Sequence, residues 1–121
     1  MRDSFCGTYQ FIAPEQYQSE LDGSKFEYSG KTDIWSLGVI LYTLVTGSNP
    51  FTRQAESLDH MKYLIQNVIY TIPDDIQKYG HIIQPEARDL IGRLLQTNSK
   101  DRPTLKEIKQ HPFFTSKYII P

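Results

Sequence analysis

Fourteen Asp and Glu, thirteen Lys and Arg, three His and one Cys are the groups from which this chain of 121 residues could build chemistry. Spacing removes most of the options. His60, His81 and His111 stand far apart, with no second ligand at metal-binding intervals, so no metal site is expected. Cys6 has no Lys, Arg or His next to it to lower its pKa and reads as a partly buried thiol rather than a nucleophile. A lone cysteine also excludes an internal disulfide framework and fits a reducing, intracellular compartment. The carboxylate in the most informative setting is Asp33. It follows Ser29-Gly30-Lys31-Thr32 and opens an apolar run, where free backbone donors and the helix dipole favour a negative charge.

That run, Asp33 to Gly47, is the element around which the rest must be arranged. Ile34, Leu37, Leu41 and Leu44 share one face and Val39, Ile40 and Val45 cover the remainder, which predicts an interior helix. Such a helix needs partners on every side, more than so short a chain is expected to supply, so that part of its apolar surface would face water. It is too short, and too interrupted by Ser, Thr and Gly, to span a bilayer. Gly47 and Asn49-Pro50 end it. Upstream, residues 1–12 read as an extended loop, Pro14 begins a short helix, and Ser19 to Lys31 is a surface loop. Downstream, Leu58, Met61, Leu64, Ile65 and Val68 keep helical spacing, as do Ala87, Leu90, Ile91, Leu94 and Leu95 after Pro85. Thr104-Leu105-Lys106-Glu107 is a capping box opening a short helix that Pro112 ends, with Phe113 and Phe114 packing back as an apolar tail. No alternating strand pattern appears, so the expected class is all-α. A net charge of -1 and a pI near 6.3 suggest neither nucleic acid nor an anionic membrane as partner. The N-terminus shows no signal peptide, and the expected location is intracellular, in the cytoplasm.

Five stretches together resemble one family. Lys31-Thr32-Asp33-Ile34-Trp35-Ser36-Leu37-Gly38 resembles the D-x-W-S-x-G signature that opens helix F of the eukaryotic protein kinase fold. Cys6-Gly7-Thr8 through Ala13-Pro14-Glu15 resembles the end of a kinase activation segment, C-G-T leading to A-P-E. Gly47-Ser48-Asn49-Pro50-Phe51 resembles the turn after helix F. Asp101-Arg102-Pro103-Thr104 and His111-Pro112-Phe113-Phe114 resemble the R-P-T and H-P-F-F endings of Ser/Thr kinase domains, in family order and spacing. Within the family the calcium/calmodulin-dependent group is most similar. The resemblance implies the helical C-terminal lobe of the kinase fold, truncated, running from the activation segment to the last helix. Residues 1–17 would end the activation segment, 18–32 form a loop, 33–47 the central buried helix, and 48–121 the remaining helices.

The resemblance also implies roles. Thr8 would hydrogen-bond the catalytic Asp and Lys of the catalytic loop, which suits a hydroxyl because it both donates and accepts. Gly7, Thr8 and Phe11 would lie on the peptide-substrate side; Thr8 and Phe11 favour Ser/Thr over Tyr specificity. Ser4 is either a solvated serine or an activating phosphosite, with Arg2 its only basic neighbour in the chain. Glu15 and Arg102 resemble the ion pair that ties the A-P-E turn to the loop before the last helix. Asp33 would brace the catalytic loop through backbone N–H bonds. Trp35 and Gly38 are packing residues, one for bulk and one for close approach.

Phosphoryl transfer needs nucleotide, metal ions and base held together. The chain carries no G-x-G-x-x-G loop, strand Lys, His-Arg-Asp loop or Asp-Phe-Gly, and these parts would lie before Met1. By itself the chain is therefore expected to hold no catalytic residue, no ATP and no Mg, and to be inactive. With the N-terminal part of the domain as partner, and ATP and Mg bound there, it would serve phosphorylation of a protein Ser or Thr. The alternative, from another class, is a non-catalytic, pseudokinase-like module that binds a partner protein.

Overall fold

The structure is a computed structural model that describes residues 11–23, 30–73, 75–76 and 81–115. Helix α1 (Pro14–Asp22) starts on its proline, whose missing N–H is one that a first helical turn leaves unpaired anyway. Ala13 has no capping oxygen; instead Gln16 Oε1 accepts the Ala13 N–H at 2.9 Å. The expected loop from Ser19 is thus partly helical, through Asp22.

Helix α2 (Gly30–Thr46) begins before Asp33. The early start has a tertiary cause, since Lys31 and Thr32 are held by groups from α1 and from the Arg102 loop. Gly47, at φ 87°, ends it in the left-handed region that glycine enters without a Cβ clash, its N–H bonded to Thr43 O at 2.8 Å. Ile34, Trp35, Gly38, Val39, Leu41 and Tyr42 are buried. Burial stops short of one face, as expected of a chain too short to supply partners on every side. Asp33, Leu37, Ile40 and Leu44 form one stripe at helical spacing, and Ile40 is 44% and Leu44 77% exposed. The apolar pattern of a helix records which faces can be buried; it does not name the partner.

Helix α3 (Leu58–Gln66) opens on Ser57, whose hydroxyl accepts His60 N–H at 3.1 Å. It stops short of Val68. The Ile69 N–H returns to Leu64 O at 2.9 Å and the Val68 N–H to Ile65 O at 3.1 Å, the paired closure of a Schellman turn. Val68 occupies the left-handed position at φ 50°, where a β-branched residue is strained, while its side chain packs on the core. Strands β1 (Asp75–Ile76) and β2 (His81–Ile82) form a two-residue antiparallel pair that leaves the class all-α. The segment before β1 is tied down through its carbonyls. Tyr42 donates to Thr71 O at 2.6 Å, and Arg88 donates to Ile72 O at 3.0 Å and also to Pro73 O.

Helix α4 (Pro85–Leu94) buries Ala87, Leu90, Ile91 and Leu94 and packs most extensively against α2. Leu95 lies just past its end, still buried. A 3-10 turn (Ser99–Asp101) leads to α5 (Leu105–Lys109), where Thr104 and Glu107 form the expected reciprocal cap. Pro112 does not simply end α5 but starts a further turn, α6 (Pro112–Thr115). The expected apolar tail is only half correct: Phe113 packs on the core, whereas Phe114 is 55% exposed, because successive helical residues point to different sides. Among the described residues no helix is long and apolar enough to cross a membrane.

Candidate functional site

Arg102 is the polar centre of the molecule, its side chain fully buried. A guanidinium cannot shed its charge, so burial requires a partner for each of its five N–H groups. All are supplied. Nη1 donates to Glu15 Oε2 at 2.9 Å and to Lys31 O at 2.8 Å; Nη2 donates to Glu15 Oε1 at 2.8 Å and to Thr97 O at 3.5 Å. Nε donates to Gln96 O at 2.9 Å. The two bonds to Glu15 are the parallel fork that Arg makes with a carboxylate and Lys cannot. Thr32 adds a hydroxyl bond to Glu15 Oε2 at 3.0 Å, and Lys31 Nζ donates to the Arg102 carbonyl oxygen. The guanidinium carbon sits 5.2 Å from the Trp35 ring centre, and Trp35 stacks on Phe51 at 5.7 Å. Trp35 Nε1 is buried without a hydrogen-bond partner among the described residues. Gly38, one turn on, is where Leu94 and Leu95 approach α2: a Cβ there would meet Leu95 Cδ2 at 2.8 Å and Leu94 Cβ at 2.9 Å.

Burial pushes the Glu15 carboxyl up, but the bonds from Arg102, its backbone and Thr32 outweigh that and hold it below the ordinary Glu value. A depressed acid is stabilising at pH values above its unfolded pKa, and the benefit is lost as pH falls through the folded pKa. Stability should therefore decline on acidification below the ordinary Glu range, and Glu15→Gln should flatten that part of the curve. Denaturant midpoints measured from neutral to acid pH on both proteins check this; parallel curves would refute it.

A second polar cluster faces a cleft of about 690 Å³ beside Arg102. His111 Nε2 lies 2.7 Å from Asp89 Oδ2, and Arg93 Nε donates to the same oxygen at 2.7 Å. Phe113 N–H donates to His111 Nδ1 at 3.0 Å, so the neutral ring carries its proton on Nε2, toward Asp89. The bonds from Arg93 and then His111 hold the exposed Asp89 carboxyl below its usual value. Glu107 is likewise lowered, first by the Thr104 backbone and last by the nearby Lys31 charge.

Of the site residues expected from sequence, the structure brings Glu15, Trp35 and Arg102 together and sets Gly38 against α4. Asp33 stands exposed at the head of the open stripe, and Phe11, 39% exposed, precedes α1. Ser4, Gly7 and Thr8 lie outside the described residues. Lys31 and Thr32 were missed as site residues although they lie inside the K-T-D stretch; the Asp89–His111 pair spans 22 positions and carries no local signal. Among the described residues no group of three or more His, Cys, Asp and Glu could hold a metal ion.

A carboxylate in the first turn of α1 is thus clamped to a buried arginine in the loop between α4 and α5. A family model described as the protein kinase domain matches residues 1–114. The chain belongs to the protein kinase domain family. Among curated relatives it is 38% identical over 112 residues to an Aurora kinase of Eremothecium gossypii, covering 93% of this chain and 26% of the relative. It is 43% identical over 114 residues to the serine/threonine-protein kinase SRK2H of Arabidopsis thaliana, covering 92% and 29%. Among solved structures, the autoinhibited serine kinase domain of the giant muscle protein titin superposes with a TM-score of 0.75 at 35% identity, covering 92% of this chain and 31% of that one. A serine/threonine-protein kinase and the titin serine kinase domain among these matches accord with the resemblance to the Ser/Thr kinases, and the titin match fits the calcium/calmodulin-dependent group. The chain spans about a quarter of the length of the Aurora relative.

Proposed function

We propose that this chain is the C-terminal lobe of a Ser/Thr protein kinase domain, supplying the peptide-substrate side and base of an active site whose nucleotide-binding part it does not contain. One observation carries the reading: on the central helix α2, Ile40 and Leu44 stand exposed in line with the half-buried Leu37 and the exposed Asp33. Apolar side chains aligned over three turns, headed by a carboxylate, suit packing against the remainder of a kinase domain, and the relatives extend well beyond the 26% and 29% of their length that this chain covers. The complete reaction would move the terminal phosphoryl group of ATP, with Mg bound, to a Ser or Thr hydroxyl of a protein, inside the cell. Thr8 supports the catalytic loop, Gly7, Thr8 and Phe11 face the substrate, and Ser4 is the activating phosphosite. The 121 residues alone bind no ATP and transfer no phosphate.

The stripe gives the test. Fully burying one Leu or Ile contributes about 1.5–3 kcal/mol, so leaving Ile40 and Leu44 exposed should make the isolated chain self-associate. Changing both to Glu should raise its monomeric fraction in sedimentation experiments, yet abolish phosphate transfer by the full-length protein. If neither property changes, the stripe seats nothing and the reading loses its support.

A non-catalytic, pseudokinase-like binding module is the other reading of the same lobe. It becomes the better one if the full-length protein transfers no phosphate.

A further inference from the structure

From the exchange of bonds between Lys31 and Arg102 we infer that Lys31 is a positioning residue for the substrate side of the lobe, holding Glu15 in place through Arg102. The inference rests on the kinase reading for its kinetic consequence and on geometry alone for its structural one. The two residues lie 71 positions apart, and each donates from its side chain to the other's backbone oxygen: Arg102 Nη1 to Lys31 O at 2.8 Å, and Lys31 Nζ to Arg102 O. That closes a ring between the start of α2 and the loop before α5, with two independent bonds setting one separation. The same guanidinium then forks onto Glu15 at 2.8 and 2.9 Å, and Thr32, next to Lys31, completes the grip on that carboxylate. A shift of the Arg102 loop therefore becomes a shift of Glu15 and of the segment that leads into α1.

Lys31 and Arg102 both line the cleft, together with Asp89, Arg93 and Glu107. Arg102 has all of its donors committed, so it cannot compensate if Lys31 is lost. Losing the ammonium frees the Arg102 carbonyl and leaves the loop tied to α2 by a single bond. The expected response is local loosening that is strongest around Glu15 and weaker in α3, which packs against α1.

Hydrogen exchange on the full-length protein and its Lys31→Met and Lys31→Arg variants tests this. In Lys31→Met, the amides of Gln16 and Tyr17 should exchange roughly tenfold faster, the scale for losing one hydrogen bond to a charged donor, while α3 amides, which connect to the ring through α1, accelerate clearly less. Lys31→Arg keeps a charged donor and should restore much of the protection. In steady-state kinetics Lys31→Met should raise the KM for a peptide substrate and leave the KM for ATP alone. Equal acceleration in α1 and α3, no acceleration at all, or indistinguishable Met and Arg variants would each overturn the inference. A wild-type protein that phosphorylates nothing would defeat the kinase reading instead, and the exchange pattern would still decide the role of Lys31.

Discussion

Glu15→Ala should destabilise the fold by about 3–5 kcal/mol, the range for leaving a buried charge without its partner. The two members of the pair are not equivalent. The Arg102 side chain is fully buried, whereas that of Glu15 is 25% exposed. Removing the carboxylate strands a guanidinium that cannot deprotonate. Removing the guanidinium, as in Arg102→Met, leaves a carboxylate that water can reach, with the Thr32 hydroxyl still bonded to it. Arg102→Met does free the carbonyls of Lys31, Gln96 and Thr97, so it is not harmless. The expected order of stability is wild type, then Arg102→Met, then Glu15→Ala. The double variant should lie above Glu15→Ala, because the apolar pair no longer holds a stranded charge. Denaturant unfolding at neutral pH measures all four proteins, and a double variant less stable than either single would contradict this.

The second large effect is expected at Gly38, where α2 and α4 are closest. An added Cβ would sit 2.8 Å from Leu95 Cδ2, the end of a flexible side chain, but also 2.9 Å from Leu94 Cβ, which cannot move without its backbone. Alanine gains about 1 kcal/mol over glycine in a helix interior, and overpacking typically costs about 1–3 kcal/mol. The steric term is the larger, so Gly38→Ala should lose stability, by up to about 2 kcal/mol. Gly38→Val adds two methyl groups and a β-branched penalty and should be clearly worse. A thermal transition for Gly38→Ala at or above that of the wild type would show that α4 gives way at little cost.

Much of this fold was legible in the sequence because its signals are local. Pro14 and Pro85 mark helix starts, Gly47 marks an end, and Thr104 with Glu107 states a capping box that the structure forms. Where the reading went astray, tertiary contacts had overridden local preference. Helix α2 starts at Gly30 because Arg102 and Glu15 hold Lys31 and Thr32. Val68 matches the helical template yet closes a Schellman turn, where glycine would be the local choice. The Glu15–Arg102 pairing was legible only through a family resemblance, since no periodicity links positions so far apart. The Asp89–His111–Arg93 cluster had not even that, because it depends on how α4 meets α6. The open stripe on α2 was legible in kind but not in place: apolarity all round a helix in so short a chain implies an uncovered face, and only the packing shows that Ile40 and Leu44 lie on it.

The most direct measurement is phosphate transfer. The full-length protein and the 121-residue chain would each be incubated with Mg, labelled ATP and peptides offering Ser, Thr or Tyr, with Thr8→Ala and Ser4→Ala variants of the full-length protein alongside. Label on Ser and Thr but not Tyr from the full-length protein, none from the chain alone, and a strong loss in both variants is the predicted result. Transfer by the 121-residue chain itself, or labelling of Tyr alone, would contradict it.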